Sequence, residues 1–133
     1  MALEINWLAL VVVSLIFFAI LFFWYFPSLF GNMWLKLVGK ESEPKSKIIR
    51  DTIIMIPTSF ITVLVIDIIM IMAGITDILS AVLISLLLWF GFLATIGINQ
   101  TNFNDRGLKL FLIEYVVYLV CFLISGIILV IWV

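Results

Sequence analysis

IIMIPTSFITVLVIDIIMIMA, residues 53–73, decides the fold. The stretch is apolar almost throughout and carries one charge, Asp67. It reaches the ~20 residues that a helix needs to cross a hydrocarbon core about 30 Å thick. Working outward, a similar run at 5–26 precedes it, and two more at 78–98 and 108–133 follow. The prediction is an all-α integral membrane protein, a single domain over 1–133 with four transmembrane helices. Composition agrees: 66% of the residues are hydrophobic and 11% charged, with mean hydropathy +1.40. So little polar material cannot coat a soluble domain, and the net charge of -1 speaks for no nucleic-acid partner. The first run has Glu4 in place of a basic flank, and it ends in Trp24-Tyr25-Phe26-Pro27 rather than small residues. That pattern predicts a retained span and not a cleaved signal peptide.

Lys36, Lys40, Lys45, Lys47 and Arg50 lie between the first two spans, and Arg106 and Lys109 flank the start of the fourth. Cytoplasmic loops collect Lys and Arg. The expected topology is multi-pass in the cytoplasmic membrane, with loops 27–52 and 99–107 inside and both termini outside. A bias this strong argues against dual insertion.

Between the first two spans, Leu29, Phe30, Met33, Trp34, Leu37 and Val38 recur with helical spacing. A short helix over 28–38 in the interface follows, with Gly39 ending it. Residues 40–47 read as a solvated loop. Pro57 removes a backbone hydrogen bond from span two, and Thr58, Ser59 and Thr62 are available to the freed carbonyls. The tight turn at 74–77 predicts antiparallel packing of spans two and three, with Thr76 or Asp77 as the cap. Ala81xxxSer85 and Gly91xxxThr95 are small-residue patterns that let helices approach closely. Ser125-Gly126 is the matching pair in span four.

Polar groups inside a bilayer face protein or water, because a charge at mid-depth costs about 2.5–3.5 kcal/mol on insertion scales. At about 1.5 Å per residue, Asp67 lies roughly 9 Å from the outer end of its span. Ser14, Ser85 and Ser125 fall at similar depth, which makes one candidate outer layer. Tyr25, Thr58, Ser59, Thr95, Glu114 and Tyr118 make a candidate inner layer, with Arg50 or Lys109 as partners for Glu114. These layers serve either as hydrogen-bonding glue between helices or as a cation or proton relay.

There is no His, and the single Cys, Cys121, lies mid-span. Haem, copper, zinc and iron–sulfur sites draw on those ligands, so no cofactor or metal is expected. A Ser-His-Asp or Cys-His hydrolase is excluded for the same reason. The two acids stand at different depths and do not form a dyad, so no enzyme is expected.

Asn6-Trp7 opens span one, and Trp24-Tyr25-x-Pro27-x-x-Phe30-Gly31-x-x-Trp34 closes it. Trp89-x-Gly91-Phe92-x-x-Thr95 ends span three, and Lys109-Leu110-Phe111-Leu112-Ile113 opens span four. Together these resemble the small prokaryotic membrane proteins grouped as domain of unknown function seventeen-sixty-one, over nearly the whole length. The resemblance implies four spans and brings no activity with it. The family pattern has Asn at the position of Glu114, a Tyr-His pair at Val117-Tyr118 and Gly at Leu21. The inner layer would then keep its polarity with different chemistry.

Three functions remain. One is a structural or accessory subunit that docks its apolar faces on other membrane subunits or on itself. Another is a small homo-oligomeric channel or transporter using Asp67 and Glu114. The third is an enzyme acting on lipid, for which no nucleophile or acid–base pair presents itself.

Overall fold

The computed structural model describes residues 4–40 and 43–132, and for Pro27 and Ser28 the backbone only. Glu41 and Ser42 of the hydrophilic loop, and Val133 at the end of the fourth run, lie outside the described residues. The described chain is helical, and four helices are long and apolar enough to cross a membrane. We label them α1 (Trp7–Trp24), α3 (Lys45–Met72), α4 (Ile78–Phe103) and α5 (Leu108–Ile131), with the short α2 (Asn32–Leu37) after α1.

The Asn6 side chain starts α1 by accepting from the Ala9 N–H at 3.1 Å, the usual service of an N-cap to an orphan donor. Phe26 is extended (φ -62°, ψ 144°), as the residue before a proline prefers, and α1 ends there. Pro27 then opens a π-helical turn, Pro27–Gly31, that runs into α2. A Cβ at Gly31 would strike the Tyr25 carbonyl oxygen and come within 2.9 Å of the Phe26 carbonyl. Glycine is what lets the chain fold back this tightly. The interfacial segment is therefore a π-turn joined to a short helix, and its apolar residues divide. Leu29, Met33 and Leu37 are exposed, whereas Phe30 and Trp34 turn toward the bundle. Gly39 ends the helix at φ 79°, with the Lys40 N–H reaching the Leu35 carbonyl.

Span two begins earlier than its apolar run. α3 starts at Lys45, so its first two turns take up residues that hydropathy assigns to a loop. Charge pairs account for this extension: Lys47 meets Asp51 at 2.6 Å, one turn on. The helix continues through Pro57, which has no N–H to offer the Ile53 carbonyl. Thr58 donates instead to Ile54 and Met55 at 3.1 Å, and Thr62 to Thr58, while the buried Ser59 hydroxyl has no partner among the described residues. The predicted repair of the freed carbonyl is thus not the one made. Gly74 (φ 71°) makes the turn between α3 and α4, and Asp77 caps α4 through the Ser80 N–H at 2.9 Å. α4 includes a π-helical stretch, Trp89–Ala94, and stays helical to Phe103. The predicted turn over 99–107 shrinks accordingly, closing on Gly107 at φ 85°.

Packing does not follow chain order. α1 sits between α3 and α5, and α5 carries α4 on its other side, while α3 and α4 touch only sparsely despite their tight connection. Small residues explain the α4–α5 pairing. A Cβ at Gly126 would collide with the Ser85 hydroxyl and stand 3.4 Å from the Ala81 carbonyl. Ala81xxxSer85 is buried against this point, whereas Gly91 and Thr95 face outward. Phe17, Val63, Val117 and Cys121 close the middle, each at most 1% exposed.

Candidate functional site

Three indoles from three separate elements converge on one turn of α5. Trp24, at the end of α1, donates to the Ile113 carbonyl at 2.9 Å. Trp34 of α2 donates to Glu114 Oε2 at 2.9 Å. Trp89, where α4 enters its π-turn, donates to the Tyr115 carbonyl at 2.8 Å. A carbonyl already bonded within a helix keeps a second lone pair, and the indole N–H is a donor with no other use when half-buried. Each bond also ties a helix to α5 at a fixed height. Local structure aims the rings. The Pro27–Gly31 turn stacks Phe30 on Trp24 with centroids 4.5 Å apart and sets Trp34 edge-on to Tyr25 at 6.2 Å. Gly97 lies flat against the stacked Phe111 and Tyr115 rings, its Cα so close that a Cβ would fall 2.8 Å from Tyr115.

Glu114 is the charged centre of this cluster. Its Oε2 also accepts from Arg106 Nη2 at 2.8 Å, and both side chains are partly exposed. The partner is therefore Arg106, neither Arg50, which meets Asp51, nor Lys109, which is exposed. Arg106 reaches Glu114 because Gly107 turns the chain and α5 brings position 114 round two turns later. Beside the cluster, a cavity of about 580 Å³ opens between the end of α1, α2 and the start of α3. Phe22, Tyr25 and Trp34 wall it, with Glu114 at one edge and Lys47 and Asp51 at another. Of the other groups assigned to the inner layer by depth, Thr58 and Thr95 point away from the bundle and donate to their own helices. Tyr118 is half-buried and lies against Phe17, with centroids 6.2 Å apart. Depth does not fix the face of the helix, and the helical turn carries both threonines outward.

The groups assigned to the outer layer by depth separate as well. Ser14 and Ser85 donate to carbonyls one turn back, Leu10 at 2.7 Å and Ala81 at 2.8 Å. Ser125 is buried on α5. Asp67 faces elsewhere, into a second cavity of about 390 Å³ bordered by Glu4, Asn6, Met70, Thr76 and Trp132. Between the two cavities lies the closed apolar core of Leu10, Val13, Phe17 and Val63. No group of three or more His, Cys, Asp or Glu side chains that could hold a metal ion occurs among the described residues.

The motif residues now have positions. Asn6 caps α1, Gly31 permits the fold-back, and Trp24, Trp34 and Trp89 bind α5. Trp7, Gly91 and Lys109 are exposed, and no side chain comes within 4 Å of where a Gly91 Cβ would stand. Sequence reading missed the indole convergence and the Arg106–Glu114 pair. Its one available signal was that tryptophans, more than any acid, marked the quoted motifs.

The arrangement defines a four-span α-helical membrane protein whose last helix organises the other three. The family model described as "Protein of unknown function (DUF1761)" matches residues 8–130, and the chain belongs to that family. No curated protein and no solved structure matches it.

Proposed function

We propose that this chain is a non-catalytic structural or accessory subunit of a membrane assembly, placed in the cytoplasmic membrane with the Lys- and Arg-rich end inside and both termini outside. One observation carries the reading: the polar groups of the inner cluster are spent on holding the bundle together. Trp34 and Arg106 both donate to Glu114, Trp24 and Trp89 donate to carbonyls of α5, and the core between the two cavities is packed and apolar. Reactive chemistry would ask for a free nucleophile or an acid–base pair beside a substrate space. The outward faces support the same view. α4 has the smallest buried share of the four spans, 22% over its most apolar window, and presents Gly91 and Thr95 to its surroundings. Small outward residues suit close contact with another helix.

The test is isolation from native membranes in a mild detergent, followed by mass spectrometry of what remains bound. A stoichiometric partner, lost when Gly91 is replaced by Phe, is the expected result. A chain that runs alone and monomeric under all mild conditions would refute the subunit role.

A second reading, a small homo-oligomeric channel or transporter, is favoured by one fact: Asp67 and Glu114 each border a cavity at opposite ends. A path within one chain would have to cross the packed core, so conduction would run between copies. Ion flux in vesicles that disappears in both Asp67→Asn and Glu114→Gln would establish it over the first.

A further inference from the structure

The outer cavity has an electrostatic character that the inner cluster lacks. Asp67 is 9% exposed, and no described residue donates a hydrogen bond to its carboxylate, which faces about 390 Å³ of space. The other charged group bordering that space is Glu4, also an acid. All seven Lys and Arg side chains belong to segments 36–50 and 106–109, at the far end of the bundle. Asn6 spends its side-chain oxygen on the α1 cap. Thr76 borders it too, and the remaining wall is hydrocarbon, from Ile5, Ala9, Met70, Ile71, Leu129 and others, with the Trp132 indole. A buried acid facing a cavity, with a second acid bordering it and no Lys or Arg beside it among the described residues, gives a positive group from outside a place to stand.

We infer that this cavity is a binding site for an organic cation, an ammonium carried on an apolar body. The charge would stand between Asp67 and Glu4, the hydrocarbon body would lie against Met70, Ile71 and Leu129, and the Trp132 face would add a cation–π contact. Bare metal ions fit poorly. A divalent ion such as calcium takes six or more oxygens, and no group of three or more acidic, His or Cys side chains gathers here among the described residues. The volume falls within the roughly 300–1,000 Å³ usual for small-molecule sites. α1, α3 and α5 all contribute, so the site exists only in the folded bundle and is independent of whether the chain serves as a subunit.

The test uses the full chain in lipid nanodiscs and isothermal calorimetry with benzyltrimethylammonium. Phenylmethanesulfonate, an anion on the same frame, serves as the control, and empty nanodiscs supply the blank. Saturable binding at one site per chain is expected for the cation and none for the anion. Asp67→Asn should weaken it about tenfold or more, the loss of a charged partner from a buried site. Thr76→Trp, a change at an exposed turn position bordering the cavity, should abolish binding by filling it while the bundle stays folded. It decides the matter even if the Asp67 variant does not fold. No saturable binding to the native chain, equal binding of the anion, or binding that survives Thr76→Trp would overturn the assignment.

Discussion

Gly126 offers a quantitative test of how α4 and α5 are held together. A Cβ added there would meet the Ser85 hydroxyl closer than the two atoms can approach, with the Ala81 carbonyl at 3.4 Å and the Ser85 Cβ at 3.7 Å. The hydroxyl has little freedom to yield: Ser85 is fully buried and donates to Ala81 at 2.8 Å. Overpacking of this kind costs about 1–3 kcal/mol. Against it, alanine favours a helix interior over glycine by about 1 kcal/mol. Gly126→Ala should therefore destabilise by about 1 kcal/mol net. Ser85→Ala alone should change stability by no more than about 0.5 kcal/mol, since the lost bond is a back-bond within its own helix. In the double variant the obstructing oxygen is gone, and the remaining Cβ contact at 3.7 Å is ordinary. There Gly126→Ala should become neutral or stabilising by up to about 1 kcal/mol, a coupling of about 1–2 kcal/mol. Equilibrium unfolding of the four proteins in mixed micelles, followed by far-ultraviolet circular dichroism, measures the cycle. A coupling below about 0.5 kcal/mol would show that the two helices do not meet through these atoms.

The indole bonds predict a graded series. Trp24→Phe and Trp89→Phe should each cost about 0.6–2 kcal/mol in the same unfolding assay, because a donor in a dry setting is lost while most of the ring is kept. Glu114→Gln should retain more of the Trp34 environment than Glu114→Ala, since the amide oxygen still accepts; the Trp34 emission maximum, in a chain with the other tryptophans replaced by Phe, reports this. Gly31→Ala should disturb the Trp34 emission strongly, as its Cβ meets the Tyr25 and Phe26 carbonyls; unchanged emission would mean the fold-back is not required. At the turn between α3 and α4, the Ser80 N–H holds the Asp77 carboxyl below its ordinary value of 3.8. A lowered folded value means that the cap's charge-dependent contribution is present above that ordinary value and fades as pH falls through the folded one. The stability difference between the native chain and Asp77→Asn should therefore shrink on acidification and stay flat at neutral pH.

Four spans and the short segment after the first were legible from hydropathy and from Pro27 and Gly39, because bilayer thickness imposes a length that composition alone can reveal. The early start of α3 was not, since Lys47–Asp51 pairing stabilises a helix through residues that hydropathy scores as loop. The late end of α4 was hidden in the same way, its last turns being polar. Depth along each span was readable and placed Asp67 and Glu114 at different levels. Azimuth was not, because a helix that is apolar on every side carries almost no periodic signal of which face meets protein and which meets lipid. Only the packed bundle decided that Ala81 and Ser85 face Gly126 while Gly91 and Thr95 look outward. Only it brought residues 24, 34 and 89 to one turn of α5, turned Asp67 toward a cavity with no Lys or Arg among its described lining residues, and gave Glu114 to Arg106. Sequence determined what must lie in the membrane, through the uniform demand of the hydrocarbon. Tertiary structure decided which polar groups find each other, because that depends on pairwise contacts between helices that no local pattern encodes.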